Sequence, residues 1–372
     1  MIYLDAAATT PVRREVIEAM WPYLTGEFGN ASSSHGLGDA AARALAASRA
    51  SVAEWLGCRP SEVVFTSGGT ESDNLAIKGI ALANPRGRHL VTSAIEHEAV
   101  LESADYLARH HGFSLSVLPV DASGLVSLGD LAAALRPDTT LVSVQTANNE
   151  VGTVQPIAEL AAVARAAGVP FHTDAVQAAG AIDVRVDSSG VDALSLSGHK
   201  LGAPKGVGVL YVRGRLAVEP LVHGGGQERG IRSGTENVAG AVALARALSL
   251  LTPPPVALRD AFIDEVLASV PDARLTGHRE HRLPGHASFT LGRASGEAVL
   301  LELERRGVIC SSGSACAAGS DEPSPVLLAL GIDATVAQTA VRFTFDASTT
   351  AADLSGASAA LRDSLVSIGG LR

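Results

Sequence analysis

The stretch SLSGHKLGAPKGVGVLYV, residues 195–212, decides the fold. Segments 192–197 and 206–212 are rich in aliphatic and β-branched residues and predict two β-strands. The glycine-rich connection between them places Lys200 just after the first strand ends. A lysine in this position is unlike an ordinary solvated lysine. A lone Gly-His-Lys also occurs in surface turns, so the rest of the sequence has to separate the two interpretations.

The alternation of strands and helices extends to both sides of this stretch. Further strands are predicted at EVVFTS, HLVTSA, SLSVLPV, TLVSVQTA and VPFHTDA (62–67, 89–94, 114–120, 140–147 and 169–175). Amphipathic helices lie between most of them, for example at 70–83 and 157–168. This pattern is typical of an α/β fold with a mainly parallel sheet covered by helices, and it predicts a large domain over residues 12–252.

A smaller α/β domain is predicted after the proline-rich segment LTPPPV at 251–256, which indicates a hinge. Helices at 256–270 and 295–306 alternate with strands at HASFTL, GVICSS and AVRFTF (286–291, 307–312 and 340–345). The extended N-terminal residues are expected to pack beside them. The predicted small domain therefore comprises residues 1–11 and 253–372.

Composition and charge argue against several classes of protein. The chain has 372 residues, a formal net charge of −10 and three scattered cysteines. The charge argues against a broad nucleic-acid-binding face, and no apolar run reaches membrane-spanning length. The cysteines form neither a disulfide framework nor a metal motif, and the N-terminus lacks the features of a signal peptide. We therefore expect a cytoplasmic protein without a membrane, metal or direct nucleic-acid partner.

A carboxylate is expected beside Lys200. Asp174, in HTDAVQ (172–177), also falls at the carboxyl end of a predicted strand. In an α/β sheet such strand ends face one crevice. A buried carboxylate needs a cationic partner, and a protonated pyridine nitrogen is one. Lysine and aspartate together are the usual protein contribution to pyridoxal-phosphate chemistry. The alternative for Asp174 alone is a helix N-cap.

A phosphate site is predicted at FTSGGTESDNLAIKG (65–79), where a strand runs into Ser-Gly-Gly-Thr and a helix begins at Thr70. The glycines allow backbone N–H groups to converge, and the helix N-terminus adds a partial positive charge. The segment lacks the GxxxxGK[ST] of a P-loop, which argues against ATP. A capping box is the alternative for these residues taken alone.

Four further segments carry polar groups suited to such a site. His97 follows a strand end and can stack on a pyridine ring, or simply start a helix. Asn149 lies at another strand end. HGGGQERGIRSGTENV (223–238) suits a phosphate-reaching loop, with Thr235 opening the next helix. Arg342, inside a strand of the small domain, can clamp a substrate carboxylate or form a structural ion pair.

Cys316 lies among small residues in SSGSACAAGSDEPSP (311–325), whereas a structural cysteine usually lies in an apolar run. This composition predicts a loop that can move and that ends where EPSP (322–325) starts the next helix. Cys58 and Cys310 lie at a helix end and in an apolar strand, so both are expected to be structural.

Together these residues resemble the class V aminotransferase-like family of pyridoxal-phosphate enzymes, and more closely the cysteine desulfurases of the IscS/NifS type. The resemblance covers nearly the whole chain in family order. It rests on YLDAAATTP (3–11), FGNASSSH (28–35), SGGTESDNLAIKG (67–79), NNEVG (148–152), HTDAVQ (172–177), SGHK (197–200), HGGGQERGIRSGT (223–235), SSGSAC with EPS (within 311–324) and VRF (341–343). It implies a type I pyridoxal-phosphate fold and a homodimer with its active sites at the interface.

The resemblance also implies roles for the matching residues. Lys200 should hold the cofactor covalently, and Asp174 should pair with its pyridine nitrogen. Gln177 should reach the phenolic oxygen, and His97 should stack on the ring. The residues expected to hold the phosphate are Gly69, Thr70, Ser197 and His199, with Thr235 of the partner subunit. The residues expected to position the substrate are Asn149 and Arg342.

The implied reaction removes sulfur from L-cysteine and releases L-alanine. The amine of Lys200 takes the Cα proton, and the Cys316 thiolate accepts the sulfur as a persulfide. The sulfur then passes to an acceptor protein in iron–sulfur cluster assembly, tRNA or cofactor thiolation, or DNA phosphorothioation. The sequence ends without the longer C-terminal extension with which housekeeping IscS-type members contact scaffold partners, which argues against an iron–sulfur scaffold as the acceptor.

Two alternative functions stay open. One is a class V aminotransferase or a selenocysteine lyase, although an aminotransferase would not need Cys316 on a loop. The other is a non-catalytic sulfur-relay or assembly subunit. The loss of Lys200 or Asp174 would favour that second alternative, and both residues are present.

Overall fold

The computed structural model describes residues 1–83, 86–292, 294–313 and 322–370. Its strands are β1 (Ile2–Tyr3), β2 (Val63–Thr66), β3 (His89–Ser93), β4 (Ser114–Leu118), β5 (Thr139–Ser143), β6 (Phe171–Asp174), β7 (Ala193–Ser197), β8 (Gly208–Val212), β9 (Arg274–Leu275), β10 (His286–Thr290), β11 (Val308–Ile309) and β12 (Ala340–Thr344).

The α-helices among these residues are α1 (Arg14–Thr25), α2 (Gly36–Leu56), α3 (Gly69–Asn74), α4 (Ile80–Ala83), α5 (Glu98–His111), α6 (Leu128–Ala134), α7 (Ile157–Ala166), α8 (Val186–Ser189), α9 (Val238–Ser249), α10 (Val256–Ser269), α11 (Gly296–Arg305), α12 (Pro325–Ala329), α13 (Ala334–Ala337) and α14 (Ala351–Gly370). A π-helical turn, Leu75–Gly79, joins α3 to α4 and interrupts the single helix predicted over 70–83. In the described part of the chain, no helix is both long and apolar enough to span a membrane.

The central sheet has seven strands in the order β2-β8-β7-β6-β5-β3-β4. Strands β4, β3, β5, β6 and β7 are parallel, and β8 pairs antiparallel with both β7 and β2. Only residues 198–207 connect β7 to β8, which is too short for the crossover that a parallel connection needs. The predicted α/β fold with a mainly parallel sheet is confirmed.

Burial on both faces explains why most of these strands are continuous apolar runs in the sequence. Every residue of β2, β3, β5, β6, β7 and β8 is buried, whereas the edge strand β4 is partly exposed. Alternate residues serve opposite faces. Val63 and Phe65 join the core beneath α2, α7 and α9, while Val64 joins the core beneath the π-helical turn, α4 and α5. Because β4, β3, β5, β6 and β7 are parallel, their carboxyl ends lie at the same edge of the sheet.

The C-terminal part of the chain forms a separate antiparallel sheet, β12-β10-β9, with a core of edge-to-face aromatic rings from Phe262, Phe289 and Phe343. Strand β1 pairs in parallel with β11, so the N-terminus packs here as expected. We propose the division into residues 12–252 and residues 1–11 with 253–372. The separate aromatic core supports this division.

Candidate active site

A cavity of about 690 Å³ lies at the carboxyl ends of the parallel strands. It is lined by ten of the residues that the sequence predicted for the site: Gly69, Thr70, His97, Asn149, Asp174, Gln177, Ser197, His199, Lys200 and Arg342. A second cavity of about 510 Å³ shares Lys200 and Gln177. Asp174 and the Gly-Gly turn line only the first cavity, which we therefore take as the candidate active site.

Lys200 ends a short 3₁₀ turn, Gly198–Lys200, that follows β7 directly. Its Nζ donates hydrogen bonds to the backbone oxygens of Ala7 and Ala8. Burial and, to a smaller extent, the nearby Arg342 charge lower the pKa of the amine to about 8, against the opposing effect of Asp5 and Asp174. A lysine with this pKa exchanges its proton near neutral pH, unlike a solvated surface lysine.

Asp174 is the last residue of β6 and is only 7% exposed. Its Oδ1 accepts the Val176 N–H at 2.8 Å, and the chain continues as a turn rather than a helix, so the helix N-cap alternative is wrong. Burial raises the pKa of the carboxyl, while the Val176 N–H and the nearby Lys200 charge favour its ionised form. The site thus holds a buried carboxylate beside a desolvated amine.

Further buried titratable groups lie beside Asp174, and the sequence did not identify them. Asp73 and Glu96 also line the cavity and are almost fully buried. Burial raises the pKa of both, to about 8 for Glu96, and the Asp174 charge adds to the effect. His172 bonds Ser143 and Ser195, and burial lowers its pKa to about 3. The signal available in the sequence was the alternation in HTD, which puts His172 and Asp174 on one face.

The Gly-Gly turn leads straight into α3, whose first residue is Gly69. Gly68, the N-cap, supplies no side-chain hydrogen bond, so the first amides of the helix stay available to an anion. Glu71 accepts the N–H of Ser67, the residue before the N-cap, at 2.9 Å, so these residues do not form a capping box. Gly208 of β8 lies against this turn. A Cβ there would come within 2.6 Å of the Gly68 Cα, so only glycine permits the approach.

A hydrogen bond at Nδ1 orients the ring of each of the two predicted site histidines, His97 and His199. His97 Nδ1 accepts the Ala99 N–H at 3.0 Å, so His97 starts helix α5 and also lines the cavity. Because Nδ1 is an acceptor, the proton of the neutral ring lies on Nε2. His199 Nδ1 bonds Thr9 Oγ1 at 3.1 Å. Burial and the Lys200 and Lys205 charges lower the His199 pKa to about 4.

Arg342 extends from the middle of β12 and is 1% exposed. Its Nη1 donates to the backbone oxygens of Asn149 at 3.0 Å and Gly313 at 3.1 Å, and its Nη2 donates to Asp5 Oδ1 at 2.7 Å. The structural ion pair that the sequence left open is therefore present. The buried Nε has no hydrogen-bond partner among the described residues, so the guanidinium can still bind a carboxylate.

The neighbouring residues Asn148 and Asn149 have different surroundings. Asn148 is buried and uses its side chain to bond Ile95 O, Glu150 N and Val151 N. Asn149 lines the cavity next to Arg342, and its role in positioning the substrate stays a prediction of the resemblance.

The N-terminal segment, residues 3–10, forms a wall of the site that sequence reasoning missed. Gln177 Nε2 donates to Ala7 O at 3.1 Å, and Thr10 bonds the backbone of His199. In the sequence these residues are mostly small and show no helix or strand periodicity, so only the family resemblance pointed to them.

Thr235 is exposed and does not belong to the described lining of this chain's cavity. Hydrogen bonds and ion pairs to the rest of the chain hold the loop that carries Thr235. Glu228 and Arg229 have positive φ angles of 46° and 58°, and Glu228 is held by two hydrogen bonds from Arg49 and one from Phe65 N. Arg232 pairs with Glu71 at 2.8 Å, which connects the loop to α3.

Cys316 lies outside the described residues. The chain on its N-terminal side is held at Gly313, whose oxygen accepts from Arg342. On the other side, Ser324 caps α12, where EPSP predicted a helix start, and bonds Glu150 Oε2 at 2.5 Å. Burial raises the pKa of the other two thiols, Cys58 to about 12 and Cys310 further, so both disfavour the thiolate.

The residues present fit pyridoxal phosphate. A buried carboxylate suits a pyridinium nitrogen, a desolvated lysine suits covalent attachment, and the uncapped amides at Gly69 suit a phosphate. All three lie on one cavity.

Comparison with known proteins gives one consistent result. The profile of the family described as "Aminotransferase class-V" matches residues 2–356. A relative named "Cysteine desulfurase IscS" from Dictyoglomus turgidum is 47% identical over 365 residues, covering 95% of this chain and 91% of the relative. A solved "NIFS-LIKE PROTEIN" superposes with a TM-score of 0.91 at 35% identity, covering 98% of this chain and 99% of its own. A structure titled "SspA in complex with cysteine" has a TM-score of 0.85 at 38% identity, covering 93% and 99%.

Proposed function

Because the chain belongs to the aminotransferase class-V family, we propose that it is a pyridoxal-phosphate-dependent cysteine desulfurase. It takes the sulfur of L-cysteine, releases L-alanine and carries the sulfur as a persulfide on Cys316. The observation that carries this proposal is the desolvated Lys200 amine beside the buried Asp174 carboxylate in one cavity, within a chain 47% identical to a cysteine desulfurase.

Most residues around the cavity hold the cofactor. Asp174 pairs with the pyridine nitrogen, Gln177 reaches the phenolic oxygen, and His97 lies against the ring. The phosphate is held by Gly69, Thr70, Ser197 and His199, together with Thr235 of the partner subunit. When bound, pyridoxal phosphate supplies an electron sink that stabilises negative charge next to the amino-bearing carbon of the substrate. The low pKa of His199 keeps its ring neutral, so it bonds without adding charge.

Lys200 moves the substrate proton. Its pKa of about 8 makes the amine a base that both accepts and returns a proton near neutral pH. Arg342 and Asn149 orient the substrate through its carboxylate, because Arg342 Nε, which has no partner among the described residues, is a buried donor on a residue of the cavity wall. His97, whose Nδ1 accepts the Ala99 N–H, offers its Nε2–H as a further hydrogen-bond donor at the cavity wall.

The sulfur step balances without an outside oxidant. The Cys316 thiolate attacks the substrate sulfur, an S–S bond forms, and the Cβ–S bond breaks. The electron pair of that bond stays with Cβ, which takes a proton to give L-alanine. Cys316 follows Gly313 by three residues in the sequence, a separation that extended chain spans in at most about 11 Å. Gly313 is bonded to Arg342 at the cavity wall, and this short sequence separation supports the proposal that Cys316 attacks the substrate sulfur.

We also propose that the protein forms a homodimer, passes its sulfur to an acceptor protein and works in the cytoplasm. Thr235 is exposed in its own chain on a fixed loop, which suits a contribution to a second copy. A persulfide has to be passed on before the next turnover, which requires an acceptor thiol or protein. Reduced thiols persist in the cytoplasm, where such transfer operates.

The test is to incubate the pyridoxal-phosphate-loaded protein with L-cysteine and a thiol reductant, and to measure L-alanine and sulfide. We expect equal amounts of both, with Cys316→Ala reducing them by at least about 100-fold and Cys310→Ala, the matched control, leaving them unchanged. Transfer of the amino group to a keto acid without sulfide release would instead support an aminotransferase. Full sulfide release by Cys316→Ala would exclude the persulfide role of that residue.

A further inference from the structure

The N-terminal segment contacts two cationic residues of the site, Lys200 and Arg342. The backbone oxygens of Ala7 and Ala8 accept from Lys200 Nζ, and the carboxylate of Asp5 accepts from Arg342 Nη2 at 2.7 Å. The backbone contacts to Lys200 follow from the fold of the segment. The Asp5 contact is different, because it joins two charged side chains within the substrate-binding wall.

Arg342 needs a resident counter-ion. Its side chain is 1% exposed, and a buried cation without a partner costs several kcal/mol. Among the residues that the structure describes, Asp5 is the one carboxylate within ion-pair distance of this guanidinium. Asp5 itself is partly exposed, with 18% of its side chain accessible. The pair therefore neutralises Arg342 before any substrate arrives.

The hydrogen bonds of Arg342 leave part of the guanidinium unused. A guanidinium carries five N–H groups in a fixed fork. Nη1 uses both of its N–H groups on the oxygens of Asn149 and Gly313, and Nη2 uses one on Asp5. The Nε–H, buried and unpartnered within the described chain, and the second N–H of Nη2 remain. Nε and Nη2 are neighbours on one edge, and such an edge matches the two oxygens of a carboxylate.

Asp5 is held by the same strand that carries Arg342. Thr344 lies two residues after Arg342 in β12; its N–H donates to Leu4 O at 2.8 Å, and its oxygen accepts from Ala6 N at 3.0 Å. The Ala7 N–H also donates to Thr344 Oγ1 at 2.8 Å. These bonds flank Asp5 on both sides, so the carboxylate and the guanidinium have a fixed separation.

We propose that Asp5 is a positioning residue that turns the Nε–Nη2 edge of Arg342 toward the cavity, where this edge binds the carboxylate of the amino-acid substrate. The inference rests on the proposed function for the identity of that substrate. The substrate carboxylate joins Asp5 on the guanidinium and does not displace it. Asp5 is not among the residues that line the described cavity, so its contribution through Arg342 is equal in the ground state and the transition state. Its charge also raises the pKa of Lys200, an effect that the Arg342 charge opposes.

The experiment compares Asp5→Ala and Asp5→Asn with wild type in the holoenzyme. Tyr3→Phe is the control, because it removes a hydroxyl that bonds Asp5 O and Thr9 O in the same segment but leaves Arg342 untouched. We expect Asp5→Ala to raise KM for L-cysteine by at least about tenfold with kcat within about threefold, as for lost uniform binding. Asp5→Asn keeps an accepting oxygen and should fall between Asp5→Ala and wild type. Tyr3→Phe should match wild type.

A second readout does not depend on turnover. L-Alanine has the carboxylate but no sulfur, and its equilibrium affinity is measured by titrating the cofactor absorbance. We expect the affinity to fall by the same factor as KM rises. Unchanged KM and L-alanine affinity in both Asp5 variants would overturn the proposal, as would an equal loss in Tyr3→Phe. If wild type makes no L-alanine from L-cysteine, the proposed function fails while the L-alanine titration still tests Asp5.

Discussion

The two walls of the active-site cavity are built in opposite ways. On the central sheet, Asp174 and Lys200 lie at or just after strand ends, where the parallel topology delivers them to one edge. On the small sheet, Arg342 lies in mid-strand and is matched by Asp5 from an irregular segment. The first wall therefore presents groups whose pKa values are shifted, and the second presents a neutralised ion pair.

This difference separates chemistry from binding. Desolvated groups at strand ends exchange protons and hold a cofactor, so changing them should reduce kcat. A guanidinium held by a resident carboxylate and two carbonyls orients a substrate, so changing it should mainly raise KM. Mutations on the two walls should thus give different kinetic signatures.

The largest effect is expected for Lys200→Ala. Removing the amine removes the proton carrier and the covalent attachment, so L-alanine formation from L-cysteine should fall by at least about 10⁴-fold. Assays of the purified holoenzyme measure this directly. Lys78→Ala, which changes a lysine bonded to Asn74 away from the cavity, is the control and should stay within about twofold of wild type.

Asp174→Asn should come next. The amide keeps the size of the side chain but removes the negative charge that opposes a pyridinium, so kcat should fall by about 10²–10³-fold with a smaller change in KM. The absorbance spectrum of the bound cofactor should change with it. If Asp174→Asn instead raises KM and leaves kcat unchanged, Asp174 contributes to substrate binding, and its assignment to the wall that carries the chemistry is wrong.

Arg342→Ala tests the other wall. Loss of the carboxylate-binding donors should raise KM for L-cysteine by about 100-fold, and Arg342→Lys should recover only part of it because an ammonium lacks the fork. The variant also leaves Asp5 without its partner, and thermal unfolding should detect that loss. If kcat falls at unchanged KM, the division between the walls is wrong.

The smallest effect is a pH-dependent gain in stability for Glu96→Gln. Burial raises the Glu96 pKa to about 8 in the folded protein, so the folded state holds a proton that the unfolded state releases. Wild-type stability should therefore fall as the pH rises from about 5 to about 8. Glutamine resembles the protonated acid, so the apoprotein variant should unfold about 2–5 °C higher at pH 8, with the difference shrinking toward pH 5. Equal melting curves at both pH values would mean that Glu96 is ionised.

The strand-end wall was predictable from the sequence, whereas much of the opposite wall was not. Asp174 and Lys200 are found by locating strand ends, because parallel topology fixes where such residues meet. Asp5 lies in a segment without periodicity, and only tertiary pairing brings it to Arg342. Asp73 and Glu96 look like ordinary polar residues of a helix and a turn, and only the packed structure reveals their burial. No residue pattern in Leu75–Gly79 predicts the π-helical turn that the structure shows there.

The most direct test of the central claim is to find which sulfur atom receives the substrate sulfur. Holoenzyme is treated with L-cysteine without reductant, alkylated, digested and mapped by mass spectrometry. The proposal predicts a persulfide on the peptide that contains Cys316, with L-alanine formed in equal amount. A persulfide on the peptide of Cys310 or Cys58, or L-alanine without any protein-bound sulfur, would contradict it.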